Sequence, residues 1–309
     1  MGKDEVANFQ RAFPGTEVKQ VSGLTSGAAQ AVTQIRQARG AYDFTLAGGA
    51  TAGQLQAAGL TAPFDPTRVP RLSTVPEFFR KAYPYGMPID LGKVGFGYRQ
   101  DLISERPRSW ADLWALAASR PGKVTVLRYA EDVLSIGLLH TGHSANADDD
   151  AALNQAVGAL TELKANLRAF LNTDFSKDLL TGAAVAAVSY DYDIAAAQRK
   201  NKDIVWVAPT EGMPGYLDGW LPLKGSDNLD TVYAFMNHHL DPRVYADFIN
   251  TTGSAYVLPD AEPHIDESIR TNTSLRYEPS SVASVEFATY RGPEGARRRA
   301  QAIERVLGA

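Results

Sequence analysis

The 309-residue chain contains no cysteine, which excludes disulfides, thiolate zinc sites and cysteine nucleophiles. It has no apolar stretch approaching the ~20 residues that span a bilayer, and its N-terminus lacks the apolar core of a signal peptide. A concentrated basic surface is missing too. Lys and Arg number 31 against 35 Asp and Glu, a net charge of -4, and the one dense basic run, Arg297-Arg298-Arg299, reads as the solvated face of a last helix. Phosphate binding needs concentrated positive charge, so nucleic acid is not expected as a partner. The sequence carries no Gly-rich phosphate loop, no Gly-x-Ser-x-Gly elbow and no zinc signature. His140 and His143 stand three apart beside Thr141-Gly142, which marks a helix end, and no acid sits at metal-ligand spacing. The reading is of a chain without cofactor, metal or catalytic residue.

What is present is ordinary globular composition, 44% hydrophobic and 21% charged, at a length sufficient for two α/β lobes with separate cores. Val6, Phe9 and Phe13 have helical spacing, Pro14-Gly15 stops them, and residues 17–21 read as a strand. An α/β lobe normally opens on a strand, so a first strand and any signal region are expected upstream. A polar turn at 22–27, a helix at 28–38, a strand at 42–46 and the small-residue turn Ala47-Gly48-Gly49-Ala50 follow. This β-α-β-α rhythm predicts a mainly parallel sheet. Prolines 63, 66, 70, 84 and 88 punctuate an irregular connection before a strand at 94–98, and 101–108 reads as a crossover.

Beyond it, Ser109 is placed to cap a helix carrying Trp110, Leu113 and Trp114. A strand at 124–127, a helix at 130–139 with Glu131 and Asp132 in its first turn, and a long helix from 151 come next. Asp148 to Asp150 suit the positive end of that helix. Strands at 184–189, 204–208 and 221–223 and a helix at 229–240 complete the pattern. The expected division is residues 1–103 with 229–309 as one lobe and 104–228 as the other.

Asp132, Tyr190, Asp191, Tyr216, Asp218 and Tyr256 each follow a short apolar run, which places them at strand ends or their approaches. Aromatic faces attract positive charge and carboxylates pair with ammonium groups, so together they make a receptor for an organic cation. Each has a plainer role open to it. Tyr190 and Tyr256 can be packing residues, Asp132 a solvated first-turn acid, and Asp191 and Asp193 helix caps.

The order of these landmarks resembles an extracellular solute-binding protein of an ABC importer, of the type that binds spermidine or putrescine. The match is carried by Tyr42-Asp43 with its small-residue turn, Ser-Trp-Ala-Asp-Leu-Trp at 109–114, the acid-bearing helix, the strand into Tyr190, Tyr216-Leu217-Asp218, and the segment from Tyr256 to Asp260. The resemblance implies a type II periplasmic binding protein fold, two α/β lobes closing on a ligand in the cleft between them. It implies Asp218 as the central amine-binding acid, Asp132 as a second, and Tyr216, Tyr190 and Tyr256 as aromatic contacts. Gly48 stands where the family has serine, Tyr129 where many members have another acid, and Ala50 where they have an aromatic. A small cationic solute and permease subunits are the implied partners, a monomer the implied state, and the periplasm or cell exterior the implied location. Within the same fold, an amino acid derivative, a phosphonate or a ferric ion is the alternative solute, the turn at 22–27 being placed to hold an anion. An enzyme or a regulator's effector domain is the alternative of a different class.

Overall fold

The computed structural model describes residues 4–21, 28–38, 40–275, 282 and 284–308. The turn at 22–27 lies outside the described residues. Helix α1 (Glu5–Ala12) buries Phe9, and α2 (Ala28–Ala38) turns Ala31 and Ile35 inward. Strand β1 (Phe44–Gly48) runs into α3 (Gly49–Ala57), and α4 (Glu77–Ala82) precedes the long β2 (Met87–Arg99). Then come α5 (Trp110–Ser119), β3 (Val124–Leu127), α6 (Ala130–His140), α7 (Asp150–Asn166), β4 (Ala169–Leu171) and α8 (Lys177–Thr181). Strand β5 (Ala186–Tyr190) leads into α9 (Asp191–Lys200), followed by β6 (Ile204–Val207), β7 (Met213–Pro222), α10 (Leu229–His239) and α11 (Pro242–Thr252). The last elements are β8 (Ala255–Tyr256), α12 (Glu267–Arg270), β9 (Val285–Phe287) and α13 (Gly292–Leu307).

Local chemistry sets several of these boundaries. Ser109 Oγ accepts from Asp112 N at 2.9 Å while Asp112 Oδ2 accepts from Ser109 N at 3.1 Å, a reciprocal cap that starts α5. The helix then buries Trp110 completely, with its indole N–H donating to Gly212 O at 2.9 Å. Truncating that ring to alanine would cost about 3–5 kcal/mol. Asp149 accepts from Ala152 N to start α7, the capping role read for this acidic run.

Two compact units divide the chain: Met1–Leu91 with Tyr216–Tyr277, and Gly92–Gly215 with Glu278–Ala309. The chain passes between them inside β2 and inside β7, not in the loops expected after 103 and before 229. The proline-containing segment 101–108 belongs wholly to the second unit, because the end of β2 is tied there by Arg99 N to Val185 O and Gln100 N to Asp203 O, both 2.9 Å. Helix α13, expected with the first lobe, also joins the second unit. Its buried Arg299 donates to Glu131 Oε2 at 2.9 Å, Ala145 O at 3.1 Å and Ala147 O at 2.7 Å.

Pairing is mixed instead of mainly parallel. In the first unit β1 runs antiparallel to β7 and β2 antiparallel to β8. In the second, β2 runs antiparallel to β5 and β6, while β3 is parallel to β4 and β5 and β7 to β9. The β-α-β rhythm holds locally around β3, but the long β2 meets its neighbours in the opposite sense. Residues 17–21 form no strand. Lys19 and Glu17 pair with each other at the surface, 3.3 Å apart, and Val21 is 52% exposed. With so little apolar surface covered, the segment has nothing to hold it in a ladder. No helix among the described residues is long and apolar enough to cross a membrane.

Candidate functional site

Side chains two apart on a strand share a face, so Tyr216, Asp218 and Trp220 form one row on β7. Trp220 sits in the first unit's core against Phe44 and Phe235, with ring centroids 5.2 and 6.0 Å away. Tyr216 and Asp218, nearer the start of the strand, are half-buried. Directly across on β1 is Gly48, where an added Cβ would lie 3.0 Å from Asp218 Oδ1. The glycine thus leaves the carboxylate its room.

A second acid stands nearby. Asp90 on β2 is 6% exposed, pairs across the ladder with Tyr256 on β8, and accepts a hydrogen bond from Ser254. Burial raises both carboxyls well above the usual carboxylate range, and the charge of Asp218 raises Asp90 further. No Lys or Arg pairs with either acid among the described residues. Tyr83, whose hydroxyl donates to Ala47 O at 2.7 Å, is likewise held neutral by burial and by Asp218. Tyr256 is only 2% exposed. The residue expected to stack is therefore buried beside β2, where β8 pairs with Asp90 and Leu91.

The second unit arranges its acids differently. Asp132, in the first turn of α6, accepts the Tyr190 hydroxyl at 2.5 Å. Burial pushes its carboxyl up to about 6, a rise that this hydrogen bond limits. Tyr190 stacks on Tyr192 with centroids 5.3 Å apart and planes 8° from parallel, and Tyr129 lies 5.7 Å from Tyr190. Tyr190 ends β5 and Tyr192 lies in the first turn of α9, so the two rings meet across the strand-to-helix junction. Tyr129 is 52% exposed and also meets Phe175, at 5.9 Å. Asp191 is a correction, being fully buried. It takes the Tyr192 N–H at 3.0 Å and faces Lys93 Nζ at 3.6 Å, ion-pair rather than hydrogen-bond range. Burial pushes its carboxyl up to about 6 against the pull of Lys93. It serves the packing between β2 and α9 and offers no surface to a solute.

The structure therefore gathers Asp218, Tyr216 and Gly48 in the first unit and Asp132, Tyr190 and Tyr129 in the second, and it moves Asp191 and Tyr256 inside. Sequence reasoning missed Asp90, Lys93 and Phe175. A lone Asp inside the run Ile89-Asp90-Leu91 was the available signal, since a buried charge in a strand calls for a reason.

Comparison with known proteins sharpens the picture. Residues 5–274 match the bacterial extracellular solute-binding protein family. The chain is 24% identical over 302 residues to the putrescine/cadaverine-binding protein of Pseudomonas aeruginosa, covering 93% of this chain and 84% of that one. It is 23% identical to the putrescine-binding periplasmic protein PotF of Escherichia coli, over 92% and 82% of the two chains. Among solved structures, the TpPotD lipoprotein of Treponema pallidum superimposes with a TM-score of 0.85 at 19% identity, covering 99% and 96%. The spermidine/putrescine ABC transporter substrate-binding protein PotD of Streptococcus pneumoniae does so with 0.83 at 20%, covering 98% and 94%. These likenesses show the periplasmic binding protein fold. With the family match spanning most of its length, the chain belongs to the bacterial extracellular solute-binding proteins.

Proposed function

We propose that the chain is the substrate-binding component of an ABC importer, that it binds a polyamine such as putrescine or spermidine, and that it works in the periplasm or at the cell surface as a monomer beside its permease subunits. It is a binding protein in this reading, not an enzyme. The observation that carries the proposal is the character of the two clusters. Among the described residues, each holds a carboxylate without a Lys or Arg partner, next to tyrosine rings, in a setting where an uncompensated charge costs several kcal/mol. A polyamine brings ammonium groups, which carboxylates of this kind pair with. Asp218 and Asp132 are the acids proposed to meet them, Tyr216, Tyr190, Tyr192 and Tyr129 the rings beside the methylene chain. Asp191 is proposed to act only through the fold, by its ion pair with Lys93.

The relatives named for putrescine binding support the solute class. Calorimetric titration with putrescine, spermidine, a phosphonate and ferric ion tests it. The two polyamines are expected to bind and the other two are not. Binding of the phosphonate or the ferric ion alone would overturn the polyamine reading and leave the family unchanged.

A further inference from the structure

Helix α6 carries Asp132 in its first turn, and that turn is short of local support. The helices before and after it are capped by side chains: Ser109 and Asp112 bond reciprocally at α5, and Asp149 accepts from Ala152 N at α7. At α6 the N-cap is Tyr129, which makes no side-chain cap bond. A helix end without such a cap leaves backbone N–H groups unsatisfied and frays more readily. Here the turn is held from outside. Arg299 of α13, itself buried, donates Nε to Glu131 Oε2 at 2.9 Å and Nη2 to Ser135 Oγ at 3.2 Å, the residues one before and three after Asp132. Its Nη1 donates to Ala145 O and Ala147 O at 3.1 and 2.7 Å, so one guanidinium joins the first turn of α6 to the loop that follows the helix. At the far end of α13, Leu307 O accepts from Arg128 Nη2 at 3.2 Å, just ahead of Tyr129. A planar fork of five donors is what lets a single side chain serve these acceptors together.

We infer that Arg299 is a positioning residue of the amine subsite: by tying down the first turn of α6 it fixes the Asp132 carboxylate where the Tyr190 hydroxyl meets it at 2.5 Å and where an ammonium group would meet it. The inference rests on the polyamine reading above, and it goes further in making the C-terminal helix part of the support of the binding site. Charge and position act in opposite directions here, which separates them. A guanidinium near the subsite repels a cationic solute, so deleting its charge alone would strengthen polyamine binding. Losing the position of Asp132 would weaken it, because a charge-assisted hydrogen bond depends on its distance and angle.

Calorimetric titration with putrescine across a double-mutant cycle reads the coupling, with the fold of each variant checked by circular dichroism. Arg299→Met is expected to weaken binding about tenfold, the equivalent of one charge-assisted hydrogen bond. Arg299→Lys keeps the charge but not the fork and should weaken it about threefold. In an Asp132→Asn background either change should alter the affinity by less than about twofold, the range of additive sites. Unchanged or tighter binding by Arg299→Met, or the same loss in both backgrounds, would overturn this inference and leave the polyamine reading intact. Should Arg299→Met fail to fold, Arg299→Lys decides by the same comparison, an unchanged affinity or an equal loss in both backgrounds overturning the inference. Failure of both putrescine and spermidine to bind the parent would overturn it together with the polyamine reading.

Discussion

In the second unit Asp191 has Lys93 3.6 Å away and Asp132 has the Tyr190 hydroxyl at 2.5 Å. In the first unit Asp90 and Asp218 have Ser254 and each other. Burial raises all four carboxyls, yet among the described residues Asp191 alone of the four forms an ion pair with a Lys or Arg. The contrast separates two uses of a buried acid. Where a lysine is built in, the pair is architecture, and removing either member leaves an uncompensated charge. Where no Lys or Arg pairs with it among the described residues, the acid is one whose charge, on the polyamine proposal, a cationic solute would relieve.

Substitutions should divide along that line. Asp218→Asn is expected to weaken putrescine binding by roughly 3–5 kcal/mol, by deleting the partner of a desolvated ammonium, with little loss of stability. Lys93→Met should do the reverse, lowering stability to urea by about 3–5 kcal/mol because Asp191 is left unpaired, and replacing both residues by apolar ones should recover much of the loss. Equal effects of the two single changes on binding would erase the distinction. Asp132→Asn should cost less binding than Asp218→Asn, about 1.5–3 kcal/mol, since the Tyr190 hydroxyl already shares that carboxylate.

A smaller effect comes from pH. Asp132, at about 6, and the Asp90–Asp218 pair titrate above the ~3.9 of an unfolded aspartate. Between the two values the folded chain binds more protons than the unfolded one, so stability falls as pH rises through the window. The empty chain should therefore be about 1–3 kcal/mol more stable near pH 5.5 than near pH 8, measured by urea unfolding. Asp90→Asn should flatten the slope; a rise in stability with pH would contradict the assignment of these groups.

Much of this was legible in the residues. The Ser109 cap opens α5 as read, and the strand at 124–127 and the helix from Ala130 stand where periodicity puts them, whereas the strand read at 221–223 is the end of β7, which begins at Met213 and so carries Tyr216 and Asp218. Other features depend on contacts that spacing does not encode. Pro88 reads as part of an irregular connection, so the sequence starts this strand at Val94, and Asp90 and Lys93 fall outside it although β2 runs from Met87. The stack of Tyr190 on Tyr192 depends on where β5 yields to α9. The place of α13 depends on Arg299 meeting two backbone carbonyls about 150 residues away in sequence. The charge on that helix was read as solvated, and for Arg297 it is, but Arg299 is 7% exposed.

The most direct test of the central claim, that the unpaired acids of the first unit recruit a cation, is a crystal structure of the chain grown with putrescine. An ammonium nitrogen within hydrogen-bond distance of the Asp218 carboxylate is the expected result. Putrescine bound elsewhere, with Asp218 paired to a Lys or Arg of the chain itself, would contradict it.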